Sequence, residues 1–180
     1  MKVLDQVTKN KYAVYNGDSC EIVKAIPDNS IHYTIFSPPF ASLYTYSNSD
    51  RDMGNSKGDD EFYNHFIYLA NELYRITMPG RLLSFHCMDL PLMKERDGVI
   101  GLKDFPSIIR QIFEDCGFIY HSKVTIWKNP VTEMQRTKAR HRHTKTNLNC
   151  RLSYRILRNN NNHHHNNSCL SILILFHLSL

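Results

Sequence analysis

Apolar positions along this chain recur in two rhythms. The run Tyr12 to Asn16 (YAVYN) is short and strand-like and ends at Gly17. Beyond it, Ile22, Val23 and Ile26 share one face of a predicted helix of about two turns, which Asp18 or Ser19 can cap. Pro27-Asp28-Asn29 is a turn, and His32 to Phe36 (HYTIF) is β-branched and aromatic, as a buried strand is. That strand runs straight into Ser37-Pro38-Pro39-Phe40. Residues 41–60 are polar, carry Gly54 and Gly58, and are expected to form a surface loop. Phe62, Phe66, Leu69, Leu73 and Ile76 then repeat at spacings of four and three, which predicts a long amphipathic helix capped by Asp59 or Asp60 and stopped by Pro79-Gly80. Arg81 to His86 (RLLSFH) is the next strand, 88–103 a loop, and Phe105 to Phe113 a second amphipathic helix closed by Gly117. Phe118 to Trp127 is a last strand. Strands alternating with helices predict an α/β fold with a mainly parallel sheet and flanking helices.

Composition fits a folded body: 42% of the 180 residues are apolar and 22% charged. No run of 18 apolar residues occurs, and the first residues lack an apolar signal core, so a cytoplasmic protein without a membrane span is expected. The five cysteines (20, 87, 116, 150 and 169) include no CxxC pair, which argues for reduced thiols and against a zinc site. Charge is distributed unevenly. Beyond residue 133 lie eight of the 22 Lys and Arg and none of the 17 acids. Such a split suggests a nucleic-acid-facing end, or equally a segment never selected for folding. After Ala139 the sequence is basic without a clear period, then low-complexity (NNNNHHHNN, 159–167), then apolar (LSILILFHLSL, 170–180). This predicts a body over 1–139 and an irregular, basic tail over 140–180, the product of a truncated or frame-shifted end.

The chemistry is concentrated where the HYTIF strand delivers Ser37-Pro38-Pro39-Phe40 at its carboxyl end, the side on which open α/β sheets bind ligands. Two prolines after a strand are often only a rigid loop. Here they stand in a longer pattern: Gly17-Asp18-Ser19, a short helix, Pro27-Asp28-Asn29-Ser30, a strand, then Ser37-Pro38-Pro39-Phe40. With MPGRLLSFH and VTIWKNPVTEMQRTKA, this pattern resembles the DNA amino-methyltransferases over residues 12–135. It is most similar to members whose catalytic half precedes the cofactor half, many of them from phages or restriction–modification systems. The resemblance implies a partial Rossmann-like sheet, S-adenosylmethionine as cofactor, and double-stranded DNA with a flipped target base as substrate. It needs no metal. The Ser37 hydroxyl and the Pro38 carbonyl, held by the stiff Pro38-Pro39 unit, would accept from the target amine, and Phe40 would stack on the extruded base. Serine at the first position is most typical of cytosine-N4 enzymes; adenine-N6 is the alternative. Asp18 is either a helix cap or a contact to the cofactor adenosine.

Other residues carry weaker signals. Lys128, Arg136, Lys138 and Arg140 cluster where acids vanish and are candidates for phosphate contacts, or for a solvated basic face. Tyr44, Tyr46 and Arg51 follow the Ser37–Phe40 segment and could contact DNA or simply pack. His86 is expected to be a core or rim residue rather than a catalyst, and His163, His164 and His165 to be solvated. The family's FxGxG turn, which lets backbone approach the methionine part of the cofactor, has no counterpart. The seven glycines (17, 54, 58, 80, 98, 101 and 117) include no GxG. Weak or absent cofactor binding and an exposed apolar sheet face are therefore expected. A non-catalytic remnant that binds nucleic acid through its basic tail is the competing expectation.

Overall fold

A computed structural model of the chain describes residues 3–40, 53, 58–127, 150–159 and 172–175. The hairpin β1 (Val3–Thr8) and β2 (Ala13–Gly17) forms a two-stranded sheet of its own. Asp18 starts α1 (Ser19–Val23), and β3 (Ile31–Phe36) follows. Helix α2 (Asp59–Ile76) leads into β4 (Thr77–Cys87). A small hairpin of β5 (Leu90–Leu92) and β6 (Gly101–Lys103), with the one-turn α3 (Lys94–Asp97) between them, occupies the expected loop. Helix α4 (Phe105–Asp115) and β7 (Phe118–Trp127) match their expected positions, and β8 (Cys150–Arg158) and β9 (Ile172–Leu175) are the last elements among the described residues.

The main sheet has the order β7-β8-β4-β3-β9. The α/β class is as expected, but the sheet is parallel on one side only. β3 runs parallel to both β4 and β9, whereas β8 runs antiparallel to both β4 and β7. The expected irregular tail is also corrected in two places: residues 150–158 form a central strand and 172–175 an edge strand. The reason is visible in β8. Tyr154 and Ile156 alternate with Arg155, burying two apolar side chains and exposing the charged one, so basic residues hid a period of two.

One sheet face carries the core. Phe36, Leu83, Phe85, Tyr154 and Ile156 meet Phe62, Phe66 and Leu73 of α2 and Ile109, Ile112 and Phe113 of α4. Phe36 lies against Phe66, Phe85 and Phe113, and Phe85 stacks nearly flat on Tyr154, with centroids 5.1 Å apart and planes 4° from parallel. The opposite face leaves Ile35, Ile119, Val124 and Ile126 exposed.

Two arginines fix how strands enter this sheet. Arg75, in the last turn of α2, donates to the Ile26 and Val23 carbonyls at 2.9 and 3.0 Å and pairs with Glu72 and Asp28. The turn before β3 is thereby tied to α2, and the Asn29 and Ser30 amides bond the Arg75 and Ile76 carbonyls. Arg158 lies 4.4 Å over the Tyr74 ring and donates to Asn29 Oδ1 and to the Arg75 and Thr77 carbonyls. A cation here satisfies carbonyls at the end of a helix. Helix α2 ends at Ile76, ahead of the expected Pro79-Gly80 stop. That dipeptide instead forms an irregularity inside β4, with Gly80 at φ 74° and the register advancing from Ile31–Thr77 to Tyr33–Leu82. The N-cap of α2 is Gly58, without a side-chain cap bond, in place of the expected aspartate. Gly117, at φ +100°, closes α4 beside Tyr74, whose ring a Cβ would meet at 3.3 Å. If β8 belongs to the core, Ile156→Ala lowers stability by about 2–5 kcal/mol in urea unfolding; an unchanged midpoint would place 150–158 outside the fold.

Candidate active site at the carboxyl ends of β3 and β4

Alternation along β3 sends His32, Thr34 and Phe36 toward the helices and Tyr33 and Ile35 toward the other face. The next residue on that second face is Ser37. In β4 the same alternation sends Leu83, Phe85 and Cys87 inward and leaves Ser84 and His86 on the second face. Because β3 and β4 are parallel with Phe36 opposite Phe85, their next residues, Ser37 and His86, lie side by side. Ser37 Oγ is 3.4 Å from His86 Nδ1. On the same face, the Tyr33 hydroxyl donates to Ser84 Oγ at 2.7 Å.

Ser37 is exposed, Pro38 and Pro39 are buried, and Phe40 is half-buried. The prolines anchor the segment while the hydroxyl stays accessible. The Phe40 ring lies 6.3 Å from that of Phe105, the first residue of α4, with the planes tilted by 53°. Helix α4 is held there by its own cap: Asp104 accepts from the Ser107 amide at 3.1 Å and from its hydroxyl at 2.6 Å. The Ser37–Phe40 segment is therefore built on two parallel strands and one capped helix.

Electrostatics beside the site come from the carboxyl end of β4. Burial, and then the charge of Asp104, push the Asp89 carboxyl above its ordinary range, with Lys123 opposing. Burial with the neighbouring Asp89 and Asp104 also pushes the Cys87 thiol strongly up, and burial with Asp115 moves Cys116 up to about 11. These thiols are protonated and unreactive at neutral pH. Among the described residues, no group of three or more His, Cys, Asp or Glu could hold a metal ion, and no helix is long and apolar enough to cross a membrane.

The structure places Asp18 at the N-terminus of α1, where its carboxylate accepts from the Cys20 amide at 2.9 Å. That geometry accounts for the residue as a cap, at the end of a hairpin separate from the main sheet. Lys128, Arg136, Lys138, Arg140, Tyr44, Tyr46, Arg51 and the histidines 163–165 lie outside the described residues. His86, expected from the sequence to be a core or rim residue, is half-buried beside Ser37, a proximity the sequence reading did not anticipate. The available signal was that HYTIF and RLLSFH end one residue before Ser37 and at His86, so parallel pairing would align them.

Two measurements follow from this geometry. Asp18→Ala lowers stability by about 1 kcal/mol while Asp18→Asn, an equal cap, leaves it unchanged, as chemical unfolding can check. Asp89→Asn raises stability at pH 7 by less than about 1 kcal/mol. The sign follows from the raised carboxyl: the folded state holds its proton more tightly than the unfolded chain. The gain therefore shrinks as pH falls and Asp89 protonates, which unfolding curves at several pH values would record.

Comparisons with known proteins agree with this architecture. No protein-family model matches the sequence. The type II methyltransferase M.SfiI of Streptomyces fimbriatus is 29% identical over 65 residues, 36% of this chain and 15% of that protein. Among solved structures, TTHA0409 of Thermus thermophilus, a candidate DNA modification methylase complexed with S-adenosylmethionine, superposes with a TM-score of 0.60 at 17% identity, over 83% of this chain and 54% of that one. The PvuII DNA methyltransferase, cytosine-N4-specific, gives a TM-score of 0.55 at 20% identity, over 79% of this chain and 47% of that one. The chain thus spans about half the length of these solved relatives. These solved neighbours are DNA methyltransferases by name, and the chain shares their Rossmann-like α/β fold.

Proposed function

We propose that residues 1–139 are the catalytic half of a DNA amino-methyltransferase acting on cytosine N4, with β8 and β9 completing the sheet beneath its site. The observation that carries this reading is the exposed Ser37 hydroxyl, followed by an anchored Pro38-Pro39 and a half-buried Phe40, at the carboxyl end of a parallel strand. An exocyclic base amine shares its lone pair with the ring and is a poor nucleophile. Acceptors on both of its N–H groups favour a pyramidal nitrogen and return the lone pair to it. Ser37 Oγ and the Pro38 carbonyl would be those acceptors, fixed before the substrate arrives. Phe40 would receive the face of the flipped base. Serine at the first position, and the cytosine-N4-specific neighbour, favour cytosine over adenine.

When bound, S-adenosylmethionine supplies the methyl group. The residues fit that cofactor only in part. The described chain presents the amine side of the reaction, but its sequence has no GxG turn for the methionine end. Asp18 stays our candidate for the adenosine end, with the cap role beside it. Lys128, Arg136, Lys138 and Arg140 stay candidates for phosphate contacts on sequence grounds. Duplex DNA as substrate goes with a cytoplasmic site of action. The competing reading, a remnant that binds through its basic tail, loses Arg158, which is engaged with Asn29 and two carbonyls.

Incubating the chain with DNA and millimolar tritiated S-adenosylmethionine, then analysing the nucleosides, should give slow formation of N4-methylcytosine. Isothermal titration should show cofactor affinity weaker than micromolar. Pro38→Ala and Phe40→Ala should each reduce incorporation roughly 100-fold with the circular dichroism unchanged. N6-methyladenine as product would move the assignment to adenine, and no methylated base at all would overturn it.

A further inference from the structure

We propose that His86 is a positioning residue for Ser37: its Nδ1 accepts the Ser37 hydroxyl proton, which turns an oxygen lone pair outward to the target amine. This rests on the function proposed above. A serine hydroxyl has one proton to donate and two lone pairs to accept with. Beside an amine it can act in either sense. As an acceptor from N–H it raises the amine's nucleophilicity. As a donor to the nitrogen lone pair it blocks the very electrons that must attack. Which of these happens depends on where the hydroxyl proton points, and an exposed Ser37 does not settle that alone.

The parallel register supplies an acceptor in a fixed place. His86 is half-buried on β4, and its Nδ1 stands 3.4 Å from Ser37 Oγ. This is a long contact, of the kind that tightens when a substrate closes the site. A neutral imidazole protonated on Nε2 accepts at Nδ1, so the serine proton points toward β4 and away from the substrate. The same face holds the Tyr33–Ser84 pair at 2.7 Å, a second polar bridge between these two strands, which steadies their relative position. Ring and hydroxyl thus come from different strands, each backed by the buried Phe36 and Phe85.

The test has two arms on the full chain. In the first, long-range proton–nitrogen spectra at pH 8 of chain labelled in histidine, with His86 identified by its absence in His86→Asn, read the state of Nδ1. The expected result is an unprotonated Nδ1 whose nitrogen shift moves in Ser37→Ala. A protonated Nδ1, or one indifferent to Ser37→Ala, overturns the inference and leaves the proposed function standing. In the second, methyl transfer is measured against DNA concentration. His86→Leu should lower kcat about tenfold with KM for DNA unchanged, the loss of one hydrogen bond's worth of orientation. His86→Asn, whose Oδ1 lies near the Nδ1 position, should restore most of it. Equal losses in both variants, or none in His86→Leu, contradict a positioning role. A hydrogen bond seen in the first arm, with no methyl transfer by the unaltered chain in the second, sinks the proposed function and this inference with it.

Discussion

The parallel alignment of β3 with β4, Phe36 opposite Phe85, is the constraint on which the rest depends. Toward the helices it joins two phenylalanines to Phe66, Phe113 and Tyr154, the aromatic centre of the core. Toward the other face it sets Ser37 beside His86. The two outcomes are one fact, because side chains on a strand alternate and a slip of one residue would exchange the faces. Core packing that holds Phe36 and Phe85 in place therefore also fixes the site.

How the register is set can be traced to charge. Arg75 ties the turn before β3 to the end of α2, and Arg158 reaches from β8 to the same junction. Both cations meet carbonyl oxygens where a helix gives way to a strand, and both are partly shielded from water. Some of the positive charge that sets the chain's end apart is thus engaged inside the fold. What remains for a polyanion is smaller than the raw charge suggests.

Much of this was legible in the residues. The fours and threes of Phe62 to Ile76 marked α2, and Phe118 to Trp127 coincides with β7. Ser37-Pro38-Pro39-Phe40 stood out because it closes a longer pattern that starts at Gly17-Asp18-Ser19 and runs through the HYTIF strand. Three features were not legible. β1 is half of a hairpin with Leu4 and Val7 exposed, so it shows no buried face to read. The β5–β6 hairpin pairs two strands of only three residues each, too short to show a period, across the charged Lys94–Asp97 turn. β8 looked like tail because three of its nine residues are arginine, although two apolar side chains alternate correctly between them. The partnership of Ser37 and His86 depends on the pairing of two distant segments, and its one signal was where the HYTIF and RLLSFH strands end.

The proposed grip of the Ser37–Phe40 segment on an extruded cytosine can be tested directly. The most direct measurement is photocrosslinking of the chain to randomised duplexes carrying 5-iododeoxycytidine, followed by peptide mapping. An extruded cytosine lying on Phe40 predicts adducts within residues 37–40. Adducts confined to residues beyond 127, or none, would contradict a base-gripping role for this strand end.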